Sequence, residues 1–165
     1  MEAMHKILIG ISSCLLGEEV RYDGGHKRNI YITGTLSEYF DFKPICPEMA
    51  IGLGVPRPTI RLVDKGTGIR VVGVKDESLD VTDKLQNFSE NAIAKLPSIS
   101  GYILKKYSPI CGMERVRVYN ANEMPDKRGR GIFADAMINS MPNLPVEEEG
   151  RLMDPVLREN FLERV

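Results

Sequence analysis

Three cysteines, Cys14, Cys46 and Cys111, are the only thiols in this chain of 165 residues. Each follows an apolar, strand-like run inside a short polar motif: Ser12-Ser13-Cys14, Cys46-Pro47-Glu48 and Ser108-Pro109-Ile110-Cys111-Gly112. An odd number of thiols cannot close as a set of disulfides. Three soft thiolates brought to one point would instead suit an iron–sulfur cluster or zinc, and a cluster held by three would keep one metal position open for chemistry. A cysteine taken alone is often a small core residue and nothing more. These three are flanked by Ser, Pro, Gly or Glu, which is loop chemistry, and binding groups concentrate in loops set on a rigid scaffold. Their wide separation matches no local finger or ferredoxin pattern.

For the thiols to meet, the runs that precede them must lie side by side. Ile7 to Ile11 reads as a buried first strand, Phe42 to Ile45 as a second and Gly101 to Leu104 as a third. Between the second and third, Asp80 or Thr82 can cap a helix that shows Leu85, Phe88, Ala92, Ile93 and Leu96 at helical spacing, with Pro97 as its end. Another helix starts near Phe133, and Asp154-Pro155 opens a last one that buries Leu157, Phe161 and Leu162. Alternating strands and helices predict an α/β fold, a single domain over 1–165 with a mostly parallel sheet flanked by helices. Ligands of such sheets bind beyond the carboxyl ends of the strands, which is where the three thiols fall.

Other segments are read against that site. The Asp-Gly-Gly turn in Tyr22-Asp23-Gly24-Gly25-His26-Lys27 follows Cys14 closely enough to wall a pocket. His26 reads as a surface residue before a metal ligand. Gly52-Leu53-Gly54-Val55-Pro56-Arg57-Pro58 lacks the third glycine of a dinucleotide loop, and its prolines suit a stiff loop that positions Arg57 or Arg61. Ser13, Tyr22, Asp23 and Arg61 are the candidate substrate contacts. Asn120 to Gly131 is the longest irregular stretch, and its Lys127-Arg128-Gly129-Arg130 segment reads as a solvated loop. Glu147-Glu148-Glu149 reads as a hydrated surface run.

Composition narrows the class. A chain of this size buries about 70% of its unfolded surface and needs no metal merely to hold a core, so a metal here would serve function. The formal charge of −1 gives no global basic footprint and argues against general nucleic-acid binding. No run approaches the ~20 apolar residues of a membrane span, and the segment Ile7 to Ile11 is too short for a signal peptide. The expected location is the cytoplasm, where thiols stay reduced. No Walker loop, His-Glu-x-x-His helix or serine-nucleophile elbow is present.

Taken in order, Ser12 to Gly17, Arg21 to Gly25, Cys46-Pro47-Glu48, Gly52 to Arg57, Ser108 to Gly112 and Leu144 to Leu152 resemble the TudS family of thiouracil desulfidases over nearly the whole chain, from about Lys6 to Val165. The resemblance implies a [4Fe-4S] cluster held by Cys14, Cys46 and Cys111, with the fourth iron free to bind the sulfur of a small thiolated nucleobase or nucleoside. It also implies that Glu48 and Ser108 are the acid–base and pocket groups. The implied reaction is desulfuration of a thiouracil-like pyrimidine to the oxo base, releasing sulfide with no net redox change.

Two other classes share these residues. A sulfur transferase acting on a nucleobase or tRNA would need a nucleotide-activation site and a basic RNA surface, and neither is evident. A non-enzymatic zinc module would close a tetrahedral site from the cysteines with His26 as the fourth ligand.

Overall fold

The computed structural model describes residues 5–165, so the first four residues of the predicted 1–165 span lie outside the described residues. In chain order the first half contains β1 (Ile7–Ser12), β2 (Phe40–Ile45), α1 (Pro47–Ala50), β3 (Ile60–Asp64), β4 (Ile69–Gly73) and α2 (Thr82–Ala94). The second half contains β5 (Tyr102–Leu104), β6 (Val116–Tyr119), β7 (Pro125–Gly129), α3 (Ile132–Ser140), β8 (Val146–Glu148) and α4 (Pro155–Arg164).

One sheet has the order β2-β1-β5-β8 and is parallel throughout. Its central strands are covered on both faces, as parallel sheets require, which is why β1 reads as an unbroken aliphatic run. Neighbouring side chains of β5 point to opposite faces. Ile103 joins Ile9, Ile11, Leu15, Leu36 and Phe161 on one side, whereas Tyr102 and Leu104 join Leu62, Val118, Leu85, Phe133 and Met137 on the other. From β1 the chain moves to β2 on one flank and then crosses to β5 on the other. That reversal of strand order opens a crevice at the carboxyl ends of β1 and β5.

The helices follow the sequence reading with small shifts. Asp80 Oδ1 accepts the Thr82 N–H at 3.0 Å and the Thr82 hydroxyl at 2.7 Å as α2 begins. Asp154 Oδ1 caps α4 by accepting from the N–H groups of Val156 and Leu157.

Three features depart from the sequence reading. A second, mixed sheet, β4-β3-β6-β7, packs into the larger core; its β3–β4 and β6–β7 pairs are antiparallel and its β3–β6 pair is parallel. The stretch from Asn120 to Gly131 is not irregular, because β7 closes a hairpin on β6 around Asn120, whose Oδ1 accepts from the N–H groups of Asn122 and Met124. The charges of β7 face solvent and hide its strand character, although Arg128 and Arg130 pair with Asp64 and Asp135. Glu147, Glu148 and Glu149 are buried rather than hydrated, at 6%, 3% and 7% exposure: the segment between β5 and β6 supplies partners to Glu148 and Glu149, and Arg151 pairs with Glu147.

Candidate active site

All three thiols line one cavity of about 340 Å³. Cys14 lies in the 3-10 turn Ser13–Leu16 directly after β1, and the turn closes at Gly17, whose N–H donates to the Cys14 carbonyl at φ +96°, a conformation glycine adopts without strain. Cys46 is the residue between β2 and α1, where Pro47 starts the helix. Cys111 sits beyond β5, in the segment that leads to β6. Three neighbouring parallel strands therefore deliver three loops to one place.

The thiols are free, with Cys14 and Cys111 buried and Cys46 half-buried. Burial pushes Cys14 up to about 11, against the pull of Arg21 and Lys105. Burial likewise raises Cys46 and Cys111, and a hydrogen bond from Ser12 partly offsets the rise at Cys111. Cys46 acts electrostatically on both Cys14 and Cys111, and Cys14 on Cys111, as expected of groups around a common space. Left without metal they are neutral thiols; a bound cation deprotonates such ligands. Among the described residues no three His, Cys, Asp or Glu side chains are grouped to hold a single metal ion. His26 lies outside the cavity wall, its Nδ1 accepting the Arg28 N–H at 3.0 Å. The zinc module thus lacks the fourth ligand suggested for it.

Glu48 lines the cavity from α1 and is gripped by Arg57, whose Nε and Nη2 each lie 2.8 Å from Glu48 Oε2. Arg57 also donates to the Gly54 carbonyl at 2.9 Å, and its own N–H donates to the Tyr22 carbonyl at 2.8 Å. This ties the stiff loop to the turn after Cys14. Ser108 Oγ accepts the N–H groups of Ile110 and Cys111 at 3.1 and 3.0 Å. Its two acceptor positions are thereby used, which leaves its hydrogen to donate. Ser12 is arranged similarly: its oxygen accepts the Lys105 N–H at 3.0 Å and its hydrogen serves Cys111.

Of the sequence-derived substrate contacts, Ser13 and Tyr22 line the cavity and Asp23 and Arg61 do not. Asp23 Oδ1 turns back to accept the Gly25 N–H at 2.9 Å. Arg61 lies over the Tyr119 ring, 4.4 Å from its centroid, and pairs with Glu123 and Glu77 beside a separate groove. Arg57 takes the place at the site that Arg61 was expected to share. Sequence reasoning missed Ser12, Arg21 and Lys105. The polar Ser12 ending a buried strand was a visible signal, whereas nothing local distinguishes Lys105 from a surface lysine.

The 2-thiouracil desulfurase family model matches residues 9–149. The chain belongs to the 2-thiouracil desulfurase family. The family match contains all three cysteines, Glu48 and Ser108, and it ends at Glu149, before α4. A solved structure of a protein described as the [4Fe-4S]-dependent thiouracil desulfidase TudS superposes with a TM-score of 0.67 at 30% identity, covering 94% of this chain and 99% of that one. A curated relative, the uncharacterized protein YbbK of Bacillus subtilis (strain 168), is 33% identical over 112 residues, which span 64% of this desulfurase-family chain and 73% of YbbK.

Proposed function

We propose that the chain is a thiouracil desulfidase that removes sulfur from a small thiolated pyrimidine, as free base or nucleoside, and releases it as sulfide. In this reading Cys14, Cys46 and Cys111 hold a [4Fe-4S] cluster. The observation that carries it is the convergence of three free thiols from three loops on one cavity that also contains Glu48 and Ser108. The donor set suits the group: all three donors are free thiols, the soft ligands of iron–sulfur clusters, and all three line one cavity. Arg57 is paired with Glu48 and Lys105 with Glu149, which leaves Arg21, Lys27 and Lys106 as the cationic excess of the cavity wall, a field that favours a departing sulfide anion. Family membership and the likeness to TudS support the same assignment.

Bound by three thiolates, such a cluster supplies one iron with an open position, a soft Lewis acid suited to a thiocarbonyl sulfur. The chain's own residues do the rest. Glu48 takes a proton from the water that adds at the thiocarbonyl carbon, general-base work that contributes roughly 10²–10⁴-fold. Arg57 fixes the carboxylate for that task. The Ser108 hydroxyl donates a hydrogen bond to the reacting pyrimidine. The new bond is carbon–oxygen, the broken bond is carbon–sulfur, the proton held by Glu48 returns to the products, and no electrons are exchanged. Ligand thiols of this kind belong in a reducing compartment, which for this chain is the cytoplasm; no helix among the described residues is long and apolar enough to cross a membrane.

The test is anaerobic reconstitution with iron and sulfide, metal and acid-labile sulfide analysis, and a sulfide-release assay on a panel of thiopyrimidines without an electron donor. Iron matched by sulfide, with turnover, is the expected result. Replacing any one of the three cysteines by Ala should remove stable loading and the visible absorption. Full activity in one such variant, or strict dependence of multiple turnover on a reductant, counts against the assignment.

A further inference from the structure

β5 stops at Leu104 and β6 starts at Val116, and the residues between them carry Ser108 and Cys111 without regular secondary structure. Both ends of that segment are fastened by consecutive buried carboxylates at the end of β8. At the near end Glu149 Oε1 accepts the Lys106 N–H at 2.7 Å, and its Oε2 lies 3.1 Å from the Lys105 ammonium. At the far end Glu148 Oε2 accepts the Met113 N–H at 3.0 Å. Glu147 completes the arrangement through Arg151, which also pairs with Glu114 at 2.8 Å. We propose that Glu148 and Glu149 are positioning residues for the third thiol, pinning the segment on either side of Ser108 and Cys111.

Two physical arguments favour this over a general contribution to folding. Burying a carboxylate is costly unless its oxygens find donors, and here the donors are the backbone N–H groups that flank the Ser108–Cys111 turn. Amide bonds to a carboxylate are also about twice as strong as neutral ones and correspondingly better at fixing a position. The Ser108 hydroxyl sets the Cys111 N–H locally, while the glutamates fix where that whole turn sits against the cavity. Glu149 adds a second effect: it holds Lys105, whose charge acts on Cys14.

The inference rests on the reading of Cys111 as a ligand, and its test is made on full-length protein before and after reconstitution. In Glu148→Ala a chelator should strip iron roughly 10–100-fold faster than from the parent, the range found when groups that orient metal ligands are removed. In the protein before reconstitution, alkylation of Cys111 should accelerate relative to that of Cys14. Glu148→Gln keeps an acceptor oxygen at the same reach but without the charge, and should fall between the parent and Glu148→Ala in both measurements. The proposal is overturned if Cys111 gains no reactivity relative to Cys14 in Glu148→Ala, or if Glu148→Gln is as impaired as Glu148→Ala. Should the Ala variant not fold, Glu148→Asp, one methylene short, is judged by the same criteria. If the parent itself holds no iron, the desulfidase reading falls, and the alkylation comparison alone decides this one.

Discussion

Arg57 donates from Nε to Glu48 Oε2 at 2.8 Å while its Nη2 lies 2.8 Å from the same oxygen, and the arginine side chain is only 3% exposed. A guanidinium fork buried in this way dictates where the carboxylate points, and lysine cannot reproduce it. Arg57→Lys should therefore keep most of the fold while lowering kcat, by up to about 10²-fold if the carboxylate shifts by an ångström. Arg57→Ala should in addition destabilise by about 2–3 kcal/mol, at the low end for a broken buried pair because Glu48 keeps 18% exposure. Thermal melting beside kcat on a thiopyrimidine separates the two effects. A Lys variant at the parent rate would show that the fork does not orient the base.

Glu48→Gln preserves size and the ability to accept from Arg57 but cannot exchange a proton usefully. The rate should drop by on the order of 10²-fold or more with iron content unchanged, while melting falls because the buried Arg57 charge loses its counter-ion. Loss of iron would make Glu48 a structural residue, and parent turnover would remove it from the chemistry.

Ser108→Ala should do more than delete one hydroxyl. Ser108 Oγ holds the N–H groups of both Ile110 and Cys111, so its loss frees the backbone of a proposed ligand as well as removing a donor from the cavity. The expected outcome is a fall in kcat accompanied by faster iron loss to a chelator. A variant with slow turnover and parent-like iron retention would confine Ser108 to the reaction.

Burial pushes Glu148 up to about 6; Glu149 and Glu114 push the same way, and the Met113 N–H and Arg151 pull it down. A carboxyl whose pKa is higher folded than unfolded stabilises most below the unfolded value and loses that contribution as pH rises through the folded value. The window here runs from about 4.5 to about 6. Glu148→Gln removes this titration, so at pH 8 the variant should melt above the parent by the equivalent of about 1–2 kcal/mol. At pH 4.5 the two should melt together. A constant difference across that range would mean that Glu148 does not titrate there.

The strands that present the thiols were legible because burial on both faces leaves a continuous aliphatic signal, as in Ile7 to Ile11. The second sheet was not: Arg61, Arg70 and Arg117 interrupt its strands, and their place in a sheet depends on pairing with distant segments. At the site, polar motifs around the cysteines pointed to three loops that the fold brings to one cavity. The choice between Arg57 and Arg61 was beyond local reading, because it is made by the Arg57 N–H reaching the Tyr22 carbonyl across the chain. Glu147 to Glu149 misled for a related reason. A run of charges signals solvent unless another segment folds over it, and no local pattern announces that the segment from Lys105 to Arg115 does so.

The cavity is a seam between the two sheets. Its three thiols all come from loops after strands of the parallel sheet, whereas another stretch of its lining, Arg57 to Ile60, is the approach to the first strand of the mixed one. On the proposed reading the ligands come from one sheet, and part of the wall a substrate would meet comes from the other. On the proposed reading, exchanging Pro58 or Thr59 should alter which heterocycle is admitted while the cysteine-bearing loops stay as they are.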